Sequence, residues 1–226
     1  MGKKISFTSS DTKIASEALD RLSKLYGNCA IEDADVIVAL GGDGFMLQTL
    51  HRTQDLSAPV YGMNRGTVGF LMNAYDEKKL LERLDKSIEE KLNPLKMEAV
   101  AADGSVKSAL AINEVSLLRA GPQAARLSIS VDGKIRMSEL VSDGVLLSTP
   151  AGSTAYNMSV YGHILNLDSK KLSIRPISAF RPRRWKGRVV SDKSKIIIKN
   201  LNIKKRPISA VADNYEVRNA KTISIS

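Results

Sequence analysis

Cysteine is nearly absent from this chain of 226 residues: Cys29 stands alone, so neither an internal disulfide framework nor a cysteine zinc cluster can form within one copy. The two histidines, His51 and His163, have no companions at metal-ligand or triad spacing and read as structural. Aromatic residues are also sparse, four Phe, six Tyr and one Trp, and they do not cluster as base-stacking platforms would require. No apolar stretch approaches the roughly 18 residues that span a bilayer, and the opening MGKKISFTSS carries no apolar secretory core. A cytoplasmic protein with no membrane partner is therefore expected. Acidic residues are outnumbered, 24 against 34 Lys and Arg, which leaves a formal net charge of +10. That excess attracts an anion, whether nucleic acid, nucleotide or membrane phosphate, and does not bear on the fold.

Hydrophobic residues at 43% and charged residues at 26% match an ordinary globular chain, which excludes collagen-like, low-complexity and wholly disordered classes. The length suits one large domain or two small ones. A short β-prone stretch at 5–8 precedes N-capping candidates Ser9, Ser10 and Asp11, then Ile14, Ala18, Leu22 and Leu25 at helical spacing up to Gly27. Residues 36–40 form a continuous apolar run, as in a parallel strand buried on both faces. A helix over 45–52, a strand over 60–63 and a helix over 76–89 complete an open α/β pattern. After Pro94 the texture changes to β-prone runs at 106–118, 126–131, 135–141, 145–149, 171–177, 195–198, 208–211 and 222–225. Asp103-Gly104, Asp132-Gly133 and Asp143-Gly144 punctuate them as turn signals, and one helix is expected over 151–162. The chain thus divides near residue 97 into an α/β lobe and a mainly β lobe.

Gly41-Gly42-Asp43-Gly44 stands where the buried strand ends and a helix begins, the edge at which open α/β sheets bind ligands. Glycines there let phosphate oxygens reach backbone N–H groups, and the helix start adds unsatisfied donors. Asp43 is the anomaly, because a carboxylate in such a turn repels the ligand unless it accepts a proton from an attacking hydroxyl or holds a metal ion. The competing reading is a plain connecting Asp-Gly turn, although chance gives GGDG in only about one chain of this size in a few hundred. A second turn, TPAGSTAYN at 149–157, offers hydroxyls and glycine for an anion or nucleotide: Thr154 to hydrogen-bond a ring or sugar, Ala155 for backbone contact, Tyr156 to stack on a base. Its bland alternative is a capped helix with a core tyrosine. Asn113-Glu114 interrupts the apolar run ALAINEVSLL, either to read an adenine edge and a ribose hydroxyl or as a solvent-facing pair at a bulge. Asp143 precedes a strand and could accept from an amide of a ligand. The stretch 175–188, with Arg181, Arg183, Arg184, Trp185 and Lys186, is either a solvated loop or an attractor of phosphates. Met46 and Met72 read as core filling.

In order and spacing, GGDG at 41–44, NRGTVGFL at 64–71, Asn113-Glu114 and SDGVLLSTPAGSTAYN at 142–157 resemble the NAD kinase family, its bacterial members above all. GGDG alone is shared with lipid kinases and phosphofructokinases, whereas TPAGSTAYN with its upstream Asp-Gly is far more specific. The resemblance implies an α/β N-terminal domain over 1–97 and a β-sandwich domain over 98–226, whose last dozen or so residues pack back on the first. It implies a homo-oligomer, usually a tetramer, with a dimer as the smaller form. The implied reaction moves the γ-phosphoryl group of ATP, or of polyphosphate in some members, to the 2′-hydroxyl of the adenosine ribose of NAD, giving NADP. Carried over, Asp43 is the general base, Gly41 and Gly42 face phosphate, and Gly44 adjoins NAD. Asn113 and Glu114 hold the adenosine side, Asp143 and Ala151 lie near the nicotinamide amide, and Thr154, Ala155 and Tyr156 form the adenine turn, which Ser159 continues. Asp213, in VADN, matches an acidic position close to the reacting ribose. A divalent ion, Mg²⁺, would arrive with the phosphates and need no dedicated protein cage. These phosphate-bearing substrates account for the positive charge without nucleic acid. The chain departs from the pattern at Tyr161-Gly162-His163, where many relatives carry Gly-Gly-Pro. Two alternatives remain: another GGDG-type kinase with a lipid or sugar acceptor, disfavoured by the polar Asn113-Glu114 pair and Tyr156, and a non-enzymatic nucleotide or nucleic-acid binder.

Overall fold

The apolar run VIVALG becomes a strand buried along its whole length, and the first part of the chain is arranged about it. In this computed structural model, which describes residues 3–67 and 69–226, contacts divide the chain into two units, Met1–Glu89 and Glu90–Ser226. Met1, Gly2 and Val68, the last within NRGTVGFL, lie outside the described residues.

In the first unit β1 (Ile5–Ser9), β2 (Val36–Gly41) and β3 (Val60–Asn64) form a parallel sheet in the order β1-β2-β3. Helix α1 (Lys13–Tyr26) joins the first pair and α2 (Asp43–Arg52) the second. Thr12, rather than the three residues before it, caps α1 by accepting the Ala15 amide, and Gly27 at φ 77° ends the helix. The buried stripe is Ala15, Ala18 and Leu22, while the expected members Ile14 and Leu25 are exposed. Alanines at the contact let the helix backbone approach the sheet more closely than larger residues would. The helix expected over 76–89 contracts to α3 (Leu80–Lys86). Asp76 accepts the Lys78 amide in a local turn, Lys79 sits at φ 55°, and Ser87 closes the last turn on the Leu84 carbonyl, so neither end can extend.

The second unit contains β4 (Leu95–Ala101), β5 (Val106–Ala111), β6 (Glu114–Arg119), β7 (Ala125–Val131), β8 (Lys134–Ser142) and β9 (Gly144–Ser148). The one-turn helix α4 (Tyr156–Ser159) follows, then β10 (Lys171–Ile177), β11 (Arg188–Ser191), β12 (Ile196–Asn200), β13 (Ile208–Ala212), β14 (Tyr215–Val217) and β15 (Ala220–Ile225). They make two six-stranded antiparallel sheets, ordered β5-β4-β15-β12-β7-β8 and β11-β10-β9-β6-β13-β14, that share one apolar core. This is a β-sandwich. The boundary expected at 97 falls inside β4, whose Leu95, Met97 and Ala99 belong to that core, so the unit begins earlier. The closing residues, for which a return to the first domain was implied, supply β14 and β15, and β15 lies between β4 and β12. The helix expected over 151–162 is broken into a 3₁₀ turn, Ala151–Thr154, and α4, because Ala155 adopts ψ −127° between them.

The chain changes sheets at Ile112-Asn113, between β5 and β6, and at Asp143-Gly144, between β8 and β9. The turn expected at the latter is therefore a corner between sheets. A Cβ on Gly144 would lie 1.9 Å from the Leu117 carbonyl oxygen, so only glycine fits that crossing. Gly144→Ala should destabilise the chain by about 3 kcal/mol, whereas Gly121→Ala, where a Cβ meets nothing within 4 Å, should stay within about 0.5 kcal/mol. Urea unfolding of the two variants checks the difference.

Candidate functional site

In the first unit Asp43 is the first residue of α2, directly after Gly42. Its carboxylate accepts the backbone amides of Phe70, at 2.8 Å to Oδ2, and Leu71, at 3.1 Å to Oδ1. Gly69 makes this clamp feasible, since a Cβ there would lie 2.4 Å from Asp43 Oδ1. The two glycine turns are tied again by the Arg65 amide on the Gly41 carbonyl at 2.7 Å, and Asn64 closes its own turn through the Gly66 amide and the Thr67 carbonyl. Arg65 stacks over the Tyr75 ring, 4.0 Å from its centroid. A Cβ on Gly42 or on Gly44 would meet nothing within 4 Å, whereas one on Gly41 would strike Phe45. The turn therefore presents open backbone at Gly42 and Gly44, at a helix N-terminus, beside a carboxylate of fixed orientation.

In the second unit strand register gathers residues far apart in sequence. Glu114 on β6 pairs with Ser148 at the end of β9, and its neighbour Val115 pairs with Ala212 at the end of β13. Asn113-Glu114, the 149–157 turn and Asp213 thus meet at one end of three adjacent strands. Asp213 accepts the amides of Ile112, Asn113 and Glu114 at 2.7, 3.0 and 3.1 Å, which satisfies the corner backbone where the sheet ladder has stopped. Thr149 Oγ1 donates to the Ile112 carbonyl at 2.6 Å and accepts the Gly152 amide at 3.0 Å. Gly152 packs so closely that a Cβ would fall 2.1 Å from the Asn113 carbonyl oxygen. Thr149 and Gly152 lie within the motif read from sequence, but their structural role depends on partners 36 to 39 positions away, which no local pattern reveals. So, too, the amides of Phe70 and Leu71 went unread, since any residue can donate one.

Asn113 Oδ1 and Glu114 Oε2 are buried and have no hydrogen-bond partner within the protein. Burial, reinforced by the negative charge of Asp213 and opposed by the Tyr156 backbone amide, pushes the Glu114 carboxyl up to about 7. The Tyr156 phenol is raised as well, first by burial and then by Glu114 and Asp143, so the three groups share one acidic surround. Asp143 is exposed enough to pair with Arg119, 2.6 Å from Nε to Oδ1. Ala151 is buried in the 3₁₀ turn, Thr154 and Ala155 are half-buried, and Ser159 is exposed at the end of α4. Arg181 and Arg183 flank the Phe180 ring at 5.2 and 5.3 Å, while Trp185 packs on the sandwich core. Met46 is buried as expected and Met72 packs against Gly62. Among the described residues no group of three His, Cys, Asp or Glu side chains is placed to hold a metal ion, and no helix is long and apolar enough to cross a membrane.

Two family models match the chain: the ATP-NAD kinase N-terminal domain over residues 1–92 and the ATP-NAD kinase C-terminal domain over residues 112–225. An NAD kinase of Cereibacter sphaeroides is 55% identical over 223 residues, covering 99% of this chain and 88% of the relative. One of Caulobacter vibrioides is 53% identical over the same length, covering 99% and 86%. The crystal structure of an NAD kinase from Archaeoglobus fulgidus in complex with ATP superposes with a TM-score of 0.78 at 26% identity, over 99% of this chain and 89% of that one. Yeast NADH kinase complexed with NADH shares the fold at a TM-score of 0.81 and 22% identity, over 99% and 79%.

The raised Glu114 group ties stability to pH. Between about 4.5, the ordinary value, and about 7 the folded chain holds a proton that the unfolded chain has released, so stability falls as pH rises through that window. The loss should approach about 3 kcal/mol at most, from about 1.4 kcal/mol for each pH unit. Glu114→Gln should flatten this slope in urea unfolding series run from pH 4.5 to 7.5.

Proposed function

Because the chain belongs to the NAD kinase family, we propose that it carries out ATP-dependent phosphorylation of NAD, with Asp43 as the general base. The observation that carries this reading is the Asp43 clamp. Each carboxylate oxygen holds one backbone amide and keeps a lone pair, so the group is oriented before substrate arrives and can take the proton of the adenosine ribose 2′-hydroxyl. As that proton leaves, the oxygen attacks the γ-phosphorus of ATP and the bond to the β-phosphate bridging oxygen breaks, giving NADP and ADP. Gly42 supplies backbone against the phosphates, Gly41 being closed off by Phe45 and the Arg65 amide, and Gly44 leaves room for NAD.

The second unit orients the acceptor. Asn113 Oδ1 and Glu114 Oε2 take hydrogen bonds from the adenosine, Thr154, Ala155 and Tyr156 face the adenine, and Ser159 extends that surface. Asp143 and Ala151 adjoin the nicotinamide amide, and Asp213 serves the ribose end while holding the backbone of residues 112–114. Phosphoryl transfer asks for positioning and charge neutralisation more than for covalent chemistry by the protein. A divalent ion, Mg²⁺, would come in with the ATP phosphates and need no dedicated protein cage, which leaves Asp43 to its proton. When bound it neutralises charge on the phosphates. ATP is the donor we assign, with polyphosphate as a further candidate, in a cytoplasmic homotetramer that uses neither nucleic acid nor a membrane.

Incubation of the chain with ATP, Mg²⁺ and NAD should yield NADP. Asp43→Asn should lower kcat by roughly 10²- to 10⁴-fold with an unchanged circular dichroism spectrum. Undiminished turnover in that variant would rule out the base role, and light scattering on the purified chain checks the tetramer.

A further inference from the structure

Strand β10 reads Lys-Leu-Ser-Ile-Arg-Pro-Ile, and its Leu172 and Ile174 enter the sandwich core. Arg175 therefore faces the opposite side of the sheet, as does Ser173. Even so, Arg175 is only 7% exposed, and among the described residues no carboxylate is placed to pair with it. Burial alone pulls its guanidinium below the ordinary value. Nη2 donates to the Tyr161 carbonyl, and Nε has no partner. A buried cation without a counter-charge is unfavourable, so stability gives no reason for it to be there.

What Arg175 holds is a turn in an unfavourable conformation. Tyr161 sits at φ 59°, a region that bulky side chains avoid, with its ring in solvent. The turn is laced to the preceding helix: the Tyr161 amide reaches the Met158 carbonyl at 3.0 Å and the Gly162 amide the Asn157 carbonyl at 2.7 Å. The fully buried Asn157 side chain donates to the carbonyls of Ser153 and His163, both at 3.0 Å. Gly162 is needed there, because a Cβ would fall 2.1 Å from Asn157 Oδ1. Ser153, also fully buried, donates to the Pro150 carbonyl at 2.7 Å and accepts the Leu165 amide at 3.0 Å. Residues 161–165 are thus stitched along the segment that carries Thr154, Ala155 and Tyr156, and Arg175 joins the stitching at the Tyr161 carbonyl. On its other side Gly187 packs against the Arg175 stem, where a Cβ would lie 3.0 Å from Cδ.

We propose that Arg175 is a positioning residue for nucleotide recognition: it pins the Tyr161 carbonyl, and through Asn157 and Ser153 presets the backbone and ring of residues 154–156 for the adenosine of NAD. The inference rests on the assignment of that turn to NAD. Such a role contributes equally to ground-state and transition-state binding, so its loss appears in KM and leaves kcat alone.

The test is steady-state kinetics on the full chain with NAD and ATP varied separately, together with thermal unfolding, for the wild type, Arg175→Met and Arg175→Lys. Arg175→Met should raise KM for NAD about tenfold, keep kcat within about twofold and leave KM for ATP unchanged. Its unfolding midpoint should hold or rise, because a buried unpaired charge has been removed. Arg175→Lys, which retains the charge and a donor, should regain part of the lost affinity. An unchanged KM for NAD overturns the proposal, as does a parallel loss of kcat, of both KM values and of the unfolding midpoint in both variants. A wild-type chain that makes no NADP would instead count against the kinase reading. In that case calorimetric titration with NAD in the absence of ATP makes the same comparison, with about tenfold weaker binding of Arg175→Met expected and equal binding overturning the role.

Discussion

Three backbone amides converge on one carboxylate at the corner where the chain leaves β5 for β6, and the second unit's site is organised around that contact. A strand that switches sheets gives up its ladder partners on one side, and buried amides without acceptors are unfavourable. Asp213, carried on the turn between β13 and β14, supplies the acceptor for residues 112–114. With the corner fixed, the Asn113 carbonyl can accept the Thr149 amide and pack on Gly152, which sets the start of the 149–157 turn. The arrangement leaves Glu114 beside a second carboxylate in a buried place, and that proximity adds to its displaced ionisation.

The first unit solves a related problem with the roles reversed. There a side-chain carboxylate needs a fixed direction, and backbone amides from a second glycine-rich turn provide it. In both units glycine appears where another group occupies the space of a Cβ: Gly69 against Asp43, Gly152 against the Asn113 backbone, Gly144 against Leu117. These contacts are closer than any side chain permits, and they hold polar groups in place without hydrophobic packing. The two units also differ in electrostatic character. The 41–44 turn offers amides and a helix N-terminus to anions, whereas the surround of Glu114, beside Asp213, is acidic and better suited to hydroxyl and amino groups.

Much of the fold was legible. Val36 to Leu40 announced a strand buried on both faces, and the β-prone runs after Pro94 announced a β-rich second half. Three strands were not visible. Apart from Val100, β4 is built from Leu, Lys, Met, Glu and Ala, good helix formers that sandwich packing holds in an extended form. β11 is a four-residue edge strand and β14 has three residues, too short for any periodicity. The helix misjudged over 76–89 has the right apolar spacing, but Lys79 in the left-handed region and the Asp76 turn stop it. Asp143-Gly144 shows the same limit, since a dipeptide that favours tight turns serves here as a crossing between sheets.

Which chemistry is available can be told from the order of the residues alone. One carboxylate among glycines, one amide-carboxylate pair in an apolar run and one hydroxyl-rich turn with a tyrosine are local statements, and residue type and spacing suffice for them. How those pieces are held follows from contacts between distant parts of the chain. Asp43 is oriented by amides 27 and 28 positions away, Glu114 is desolvated beside an aspartate 99 positions away, and Arg175 reaches a carbonyl 14 positions before it. The reason is physical: backbone donors and acceptors are the same at every residue, so no side-chain pattern reveals which of them will meet a given carboxylate, and burial becomes defined only when distant strands pair.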